Sequence, residues 1–319
     1  MFEQIEKLIL QCKYGRALSL AKKSLKTSHD KNILYRYLVW IYRMKGNADN
    51  ALHFSKRLEK SADTLCEKAI LYRMKCDFRK ARKEISSAIS VFGKQKDKEG
   101  LSFAFWVRGG IERYGGMPRA GYGFFARALG ITKSRHGRGY ALCGLGGAGR
   151  LLGKFGESLE NYRKANGIFR KKKDRFGEAY SYCGMGSALR MKNDFRKSKE
   201  LYEKAVSIYK KIGDDWNRAY SMWGAAQTEW FLENRKDAKS INCAALKIFS
   251  KFKDPRGKFY CYIQDANFER MSGNFGGAEK FSRKGLKILT TLGLPYEKKL
   301  LKIQKKLIRK KVLSSVLIP

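Results

Sequence analysis

The run Cys143 to Arg150, CGLGGAGR, contains the spacing G-x-G-x-x-G from Gly144 to Gly149. Between a buried strand and a helix such glycines let the backbone approach a pyrophosphate. The preceding residues, RHGRGYAL, are not a buried strand, so that context is missing. A phosphate-cradling P-loop is also absent, because Phe155 follows Gly153-Lys154 and Ala148 stands where the earlier glycine belongs. His29, His53 and His136 are far apart in sequence and form no metal-ligand pair. The seven cysteines, Cys12, Cys66, Cys76, Cys143, Cys183, Cys243 and Cys261, include no C-x-x-C. They read as small buried hydrophobes in a reducing compartment. Asp214-Asp215 reads as a helix N-cap rather than an acid-base pair. The expectation is no enzyme, no metal and no cofactor.

The glycines acquire another meaning once the chain is slid against itself by 40 residues. Tyr140, Tyr180, Tyr220 and Tyr260 fall in one column, Ile168, Ile208, Ile248 and Ile288 in a second, and Ala165, Ala205, Ala245 and Gly285 in a third. Phe155, Phe195 and Phe275 form a fourth, broken by Arg235. Gly144 aligns with Gly184 and Gly224, so the glycines follow the repeat. Their expected use is close approach of neighbouring helices, at about 1 kcal/mol of helix propensity each relative to alanine.

Within a unit, Ser158, Tyr162, Ala165 and Phe169 are spaced 4, 3 and 4, and Ser198, Tyr202, Ala205 and Tyr209 repeat the pattern, which is one face of a helix. A first helix such as 180–192 precedes it, with turn residues such as Gly153-Lys154, Asn193-Asp194 or Gly273-Asn274 between. Each unit is a helical hairpin that can bury its apolar face only against its neighbours.

The segment from Glu178 to Tyr209, EAYSYCGMGSALRMKNDFRKSKELYEKAVSIY, resembles a tetratricopeptide repeat, with Met185-Gly186 at the Leu-Gly step and Ala205 at the second helix's small position. The family unit is about 34 residues. The 40-residue spacing therefore resembles its longer-repeat branch. The match runs from 139 to 289. Upstream, YRMK at 42–45 and again at 72–75 marks units spaced by 30. The resemblance implies an all-α fold, a right-handed superhelical solenoid of about eight hairpins over residues 1–295. Residues 296–319 form a basic capping helix and tail, with an apolar stripe at Leu300, Ile303 and Leu307.

Lys and Arg total 69 against 29 Asp and Glu, a net charge of +40, which concentrates anionic partners near the surface. No apolar run approaches the ~18 residues of a bilayer span. The start, MFEQIEKLILQ, lacks the basic leader of a signal peptide. A soluble, cytoplasmic protein is expected. Arg43, Arg73, Arg113, Arg150, Arg190 and Arg270 hold one position in successive first helices, with Trp230 interrupting the row. Tyr180, Cys183, Ser187 and Arg190 share one helix face. In the family the first helices line the concave groove. The resemblance thus places the arginines from Arg73 to Arg270 there, with the tyrosine column and Trp223 and Trp230 as aromatic anchors. The expected partner is an acidic protein or peptide segment, recognised by guanidinium forks. A nucleic acid in the same groove, or a regulatory role inside a larger assembly or homo-oligomer, are the alternatives.

Overall fold

A computed structural model describes residues 1–313 apart from positions 12, 291 and 293. Cys12 and the tail beyond 313 lie outside the described residues. Among those described there are seventeen helices and no strand. They pair into hairpins: α1 (Phe2–Leu10) with α2 (Tyr14–Ser24), α3 (Lys31–Met44) with α4 (Ala48–Ser55), α5 (Ala62–Met74) with α6 (Phe78–Lys94), and α7 (Lys98–Tyr114) with α8 (Pro118–Ile131). There follow α9 (Arg135–Leu151) with α10 (Phe155–Lys171), α11 (Arg175–Met191) with α12 (Phe195–Lys211), α13 (Asp215–Phe231) with α14 (Arg235–Lys251), and α15 (Pro255–Met271) with α16 (Phe275–Leu289). A last helix, α17 (Pro295–Arg309), covers the end of the stack.

The helix starts are written in the sequence. Asp77, Asp97, Asp174, Asp194, Asp214 and Asp254 each stand one residue before a helix and accept a backbone N–H of its first turn. Such a cap satisfies a donor that has no partner inside the helix, for about 1 kcal/mol.

From α5 onward each odd-numbered helix touches the next odd-numbered helix, whereas the even-numbered helices pack only on odd ones. The odd helices therefore form the inner row of a right-handed superhelix and the even helices the outer row. The outer helices bury the stripe expected of them: Ser158, Tyr162, Ala165 and Phe169 in α10, and Ser198, Tyr202, Ala205 and Tyr209 in α12. The serines of that stripe donate across the hairpin, Ser158 Oγ to the Gly146 carbonyl at 2.7 Å and Ser198 Oγ to the Gly186 carbonyl at 2.9 Å.

The glycines of the 143–150 run do what helix packing requires. A side chain at Gly144 would enter the Phe125 ring, one at Gly184 the Tyr162 ring, and one at Gly224 the Tyr202 ring. In each case an aromatic side chain of the preceding outer helix lies flat on the inner backbone. No strand accompanies them.

The array also meets itself. One apolar cluster joins α5, α6 and α7 to residues of α13 through α17, including Ile70, Ile111, Trp223, Phe259 and Leu300. Gly116, after α7, faces Pro295, and Gly46, after α3, faces Phe252. The two ends of the inner row are thereby brought into contact around the inner face, called the channel below.

Two details differ from the sequence expectation. In α17 Leu300, Leu301 and Gln304 are buried while Ile303 is 38% exposed. The cause is Glu297, which is buried on the inward face by its ion pair with Arg256 and turns Ile303 outward. Of the six described cysteines, all free thiols, Cys66, Cys143 and Cys261 are buried, Cys76 and Cys183 are half-buried, and Cys243 is exposed. No helix among the described residues is long and apolar enough to cross a membrane.

Candidate binding groove

The inner helices present two rows to the channel. The first is the tyrosine row. Tyr140 Oη donates to Asp174 at 3.0 Å, Tyr220 Oη to Asp254 at 2.8 Å, and Tyr260 Oη to Glu297 at 2.8 Å. Each acceptor lies at the start of the next inner helix, so the row links neighbouring hairpins. Four residues before each tyrosine a second donor reaches the same carboxylate: His136 Nε2 lies 2.7 Å from Asp174, Trp216 Nε1 2.8 Å from Asp254, and Arg256 Nε 2.6 Å from Glu297. Burial and the adjoining carboxylate together raise the pKa of all three phenols, which keeps them protonated donors.

Tyr180 is the exception, and its sequence explains why. The position four before it is Phe176, which has no donor, and Asn217 replaces the glycine that stands three residues after the cap at Gly177 and Gly257. Asn217 holds both Asp214 oxygens, through its backbone N–H at 2.9 Å and its Nδ2 at 2.8 Å. Tyr180 faces the Arg113 guanidinium instead.

The second row is the arginines. Each lies in the last turn of its helix, where a cation complements the helix dipole, and reaches toward the next inner helix. The Arg73 guanidinium lies over Gly110 and that of Arg113 over Gly147, where a β-carbon would push the arginine tip aside, slightly at Gly110 and more at Gly147. Arg190 donates to the Gln227 carbonyl oxygen at the equivalent place. The ends of the row are engaged by the chain: Arg43 pairs with Glu67 at 3.2 Å, and the buried Arg270 donates to Asn267 and to the Val312 carbonyl. Arg190 is buried as well. Arg73, Arg113 and Arg150 are only half-buried and have no carboxylate partner among the described residues. The Nε groups of Arg73 and Arg150 are buried without a hydrogen-bond acceptor.

Tyr114 stands in the middle of this charge. The guanidinium carbons of Arg73, Arg113 and Arg256 lie 5.0, 4.6 and 4.4 Å from its ring centroid. Burial pushes its phenol up, but the three cations outweigh it and hold it below the ordinary tyrosine value. Burial likewise works against the charged form of Arg113, and the surrounding phenols of Tyr114, Tyr180 and Tyr162 reverse this.

The two tryptophans are packing residues. Trp230 is stacked on Phe268 with centroids 4.2 Å apart, and Trp223 donates from Nε1 to the Tyr260 carbonyl. The two column exceptions compensate one another: Arg235, in the phenylalanine column, lies 5.3 Å over Trp230, in the arginine column. Sequence reasoning missed Tyr114, Arg256 and Glu297. Arg256 had a usable signal, four residues before Tyr260. Tyr114 had none, because it lies outside the tyrosine column and its third cation, Arg256, comes from the far end of the array.

Residues 137–211 match the family model described as tetratricopeptide repeat. Solved structures are similar along most of the chain. The Rap protein complexed with competence and sporulation factor is 10% identical, with 97% of this chain and 98% of that chain covered at a TM-score of 0.62. The APC/C hetero-tetramer Cut9-Hcn1 is 14% identical, with 94% of this chain and 54% of that chain covered at 0.63. Aspartyl phosphate phosphatase F from Bacillus subtilis is 11% identical, with 100% and 95% covered at 0.53. At these identities the likeness is one of fold. No curated protein sequence matches the chain.

Proposed function

We propose that the chain, whose residues 137–211 match the tetratricopeptide-repeat model and whose fold is similar to that of the Rap protein, is a non-enzymatic scaffold whose inner face takes an acidic segment of a partner protein. The observation that carries this reading is the middle of the arginine row. Arg73, Arg113 and Arg150 hold their charge inside the channel without a carboxylate of their own, whereas Arg43 is paired with Glu67. A carboxylate-bearing chain would supply the missing acceptors as charge-assisted hydrogen bonds. Arg190, Arg270, Trp223 and Trp230 shape the walls, and the tyrosine row fixes the spacing of the hairpins. The Rap structure with the same fold is a complex with a factor, which agrees with a ligand-binding role. A nucleic acid in the same groove is the weaker reading, because three of the four row tyrosines are tied to carboxylates rather than offered to bases. The coarser role, a regulatory module within an assembly, is compatible with the same contact.

The test is titration of the full chain with fluorescent Asp- and Glu-rich peptides, compared with the double variant Arg113→Gln, Arg150→Gln. Loss of two such bonds, at about 1.5–3 kcal/mol each, weakens binding by at least tenfold. Unchanged affinity in the variant rules the groove out.

A further inference from the structure

The outer-to-inner turns carry a second basic feature, separate from the channel. Lys94, Lys96 and Lys98 lie around the α6–α7 turn, Lys133 and Arg135 at α8–α9, Lys171, Lys172 and Lys173 at α10–α11, Lys210 and Lys211 at α12–α13, and Lys251 and Lys253 at α14–α15. All are exposed, and none is in an ion pair among the described residues. Most carboxylates of these turns are engaged in hydrogen bonds of the fold. Asp174 and Asp254 cap helices and accept from the tyrosine row, Asp214 is buried on Asn217, Asp97 caps the start of α7 through the Gly100 N–H, and Glu99 accepts from Thr132 and from the backbone N–H groups of Lys133 and Ser134 in the neighbouring α8–α9 turn. One rim of the solenoid therefore shows unpaired cations at these five turns, while most of its acids are held in caps and hydrogen bonds.

The backbone of this rim gives an independent sign. Four of its turns end a helix with a residue in the left-handed region, where glycine is the unstrained choice. Three of those four residues are lysines: Lys96 at φ 55°, Lys173 at φ 56° and Lys253 at φ 52°, with only Gly213 following the rule. On the opposite rim the same position is Gly46, Cys76, Gly116, Gly153, Asn193, Glu233 or Gly273, and never a cation. A lysine kept in a strained conformation at three of four equivalent turns, and on one rim only, points to use rather than to solubility.

We infer that this rim binds the phosphate backbone of double-stranded nucleic acid without regard to sequence. Lysines are mobile point charges suited to phosphates rather than to base edges. None of the exposed large apolar side chains lies in these five turns. The rim thus offers neither the stacking platform of a single-strand binder nor the apolar wedge of a membrane-surface helix. A duplex, which keeps its base faces stacked inside and carries phosphates along both outer edges, asks for neither.

The experiment is fluorescence anisotropy of a mixed-sequence duplex DNA with the full chain across a salt series. The variants are Lys96→Gly with Lys173→Gly and Lys253→Gly, and a control on the opposite rim, Lys192→Gln with Lys236→Gln and Lys280→Gln, which removes the same charge. The glycine variant is expected to melt no lower than the parent, since each change relieves a left-handed lysine. Its slope of log affinity against log salt should be shallower by about 2.7, as three phosphate contacts are lost, while the control keeps the parent slope. Equal loss in both variants assigns binding to net charge and overturns the proposal. So does loss in Arg113→Gln with Arg150→Gln, which would put the duplex in the channel. Binding to phosphatidylserine vesicles without binding to the duplex overturns it as well.

Discussion

The guanidinium of Arg113 occupies the space above Gly147 that a β-carbon would need, while the Phe125 ring does the same above Gly144, one turn earlier in the same helix. Both glycines lie in the same glycine-rich run, 144–149, yet what covers them differs in kind. The first is roofed by the flexible tip of a long side chain, the second by a ring locked in the core, and Phe125 is 2% exposed.

Substitution by alanine should therefore separate them. Gly144→Ala overpacks a rigid site and is expected to lower stability by about 1–3 kcal/mol. Gly147→Ala only displaces the Arg113 tip and gains helix propensity, so its stability should hold or rise by up to about 1 kcal/mol, while affinity for acidic peptides drops. Urea unfolding of both variants, with peptide titration of the second, tests the pair. Equal destabilisation would contradict the assigned contacts.

The tyrosine row predicts a graded series. Tyr220→Phe removes a phenol bonded to the Asp254 carboxylate, and a hydrogen bond to a charged group is worth about 1.5–3 kcal/mol. Tyr180→Phe removes no carboxylate contact and should cost less. Its effect should appear in peptide binding, through the Arg113 guanidinium it faces. Chemical denaturation that ranks Tyr180→Phe as the costlier change would refute the reading of Asn217 as the residue that frees Tyr180.

These two series mark where sequence was enough and where it was not. The 40-residue columns disclosed the hairpins because each repeat meets the same neighbour in the same way, so one constraint recurs at Gly144, Gly184 and Gly224. The tyrosines were visible as a column, but not their acceptors, because a bond from Tyr140 to Asp174 joins residues of consecutive units and only geometry says which carboxylate is turned inward. The partner change at Tyr180 was encoded in Phe176 and Asn217, though each looks like ordinary drift when read alone. Closure of the array left no periodic trace at all, since the pairing of Gly116 with Pro295, or of Tyr114 with Arg256, happens once.

That closure has its own handle in the Arg256–Glu297 pair. Glu297 is buried, and Arg256 also covers Tyr114 from the other end of the array. Removing the carboxylate leaves a buried guanidinium uncompensated, a loss of about 3–5 kcal/mol for pairs of this type. Glu297→Ala should lower the unfolding midpoint accordingly, and small-angle scattering should show a longer particle as the ends part. Glu297→Gln, which keeps an acceptor oxygen for Tyr260, should recover part of the loss. A compact, equally stable Glu297→Ala protein would mean that the apolar cluster alone closes the ring.

The pH dependence of stability offers a last test, at Asp265 in α15. Burial raises its carboxyl pKa to about 6, and the hydrogen bond from Asn242 Nδ2 at 2.6 Å, which favours the ionised form, only partly offsets this. The folded state therefore holds the proton more tightly than the unfolded chain, whose aspartate titrates near 4. Stability from this group is present in full below about pH 4 and is lost as the pH rises through about 6. The window is the reverse of that for a carboxylate in an ion pair. Asp265→Asn keeps an oxygen for Asn242 and removes the charge, so it should stabilise the protein by about 1–3 kcal/mol at neutral pH and leave it unchanged under acid conditions. Guanidinium unfolding of both proteins across that range measures the difference, and a gap that does not widen with pH would show that the carboxyl is already ionised without cost in its half-buried site.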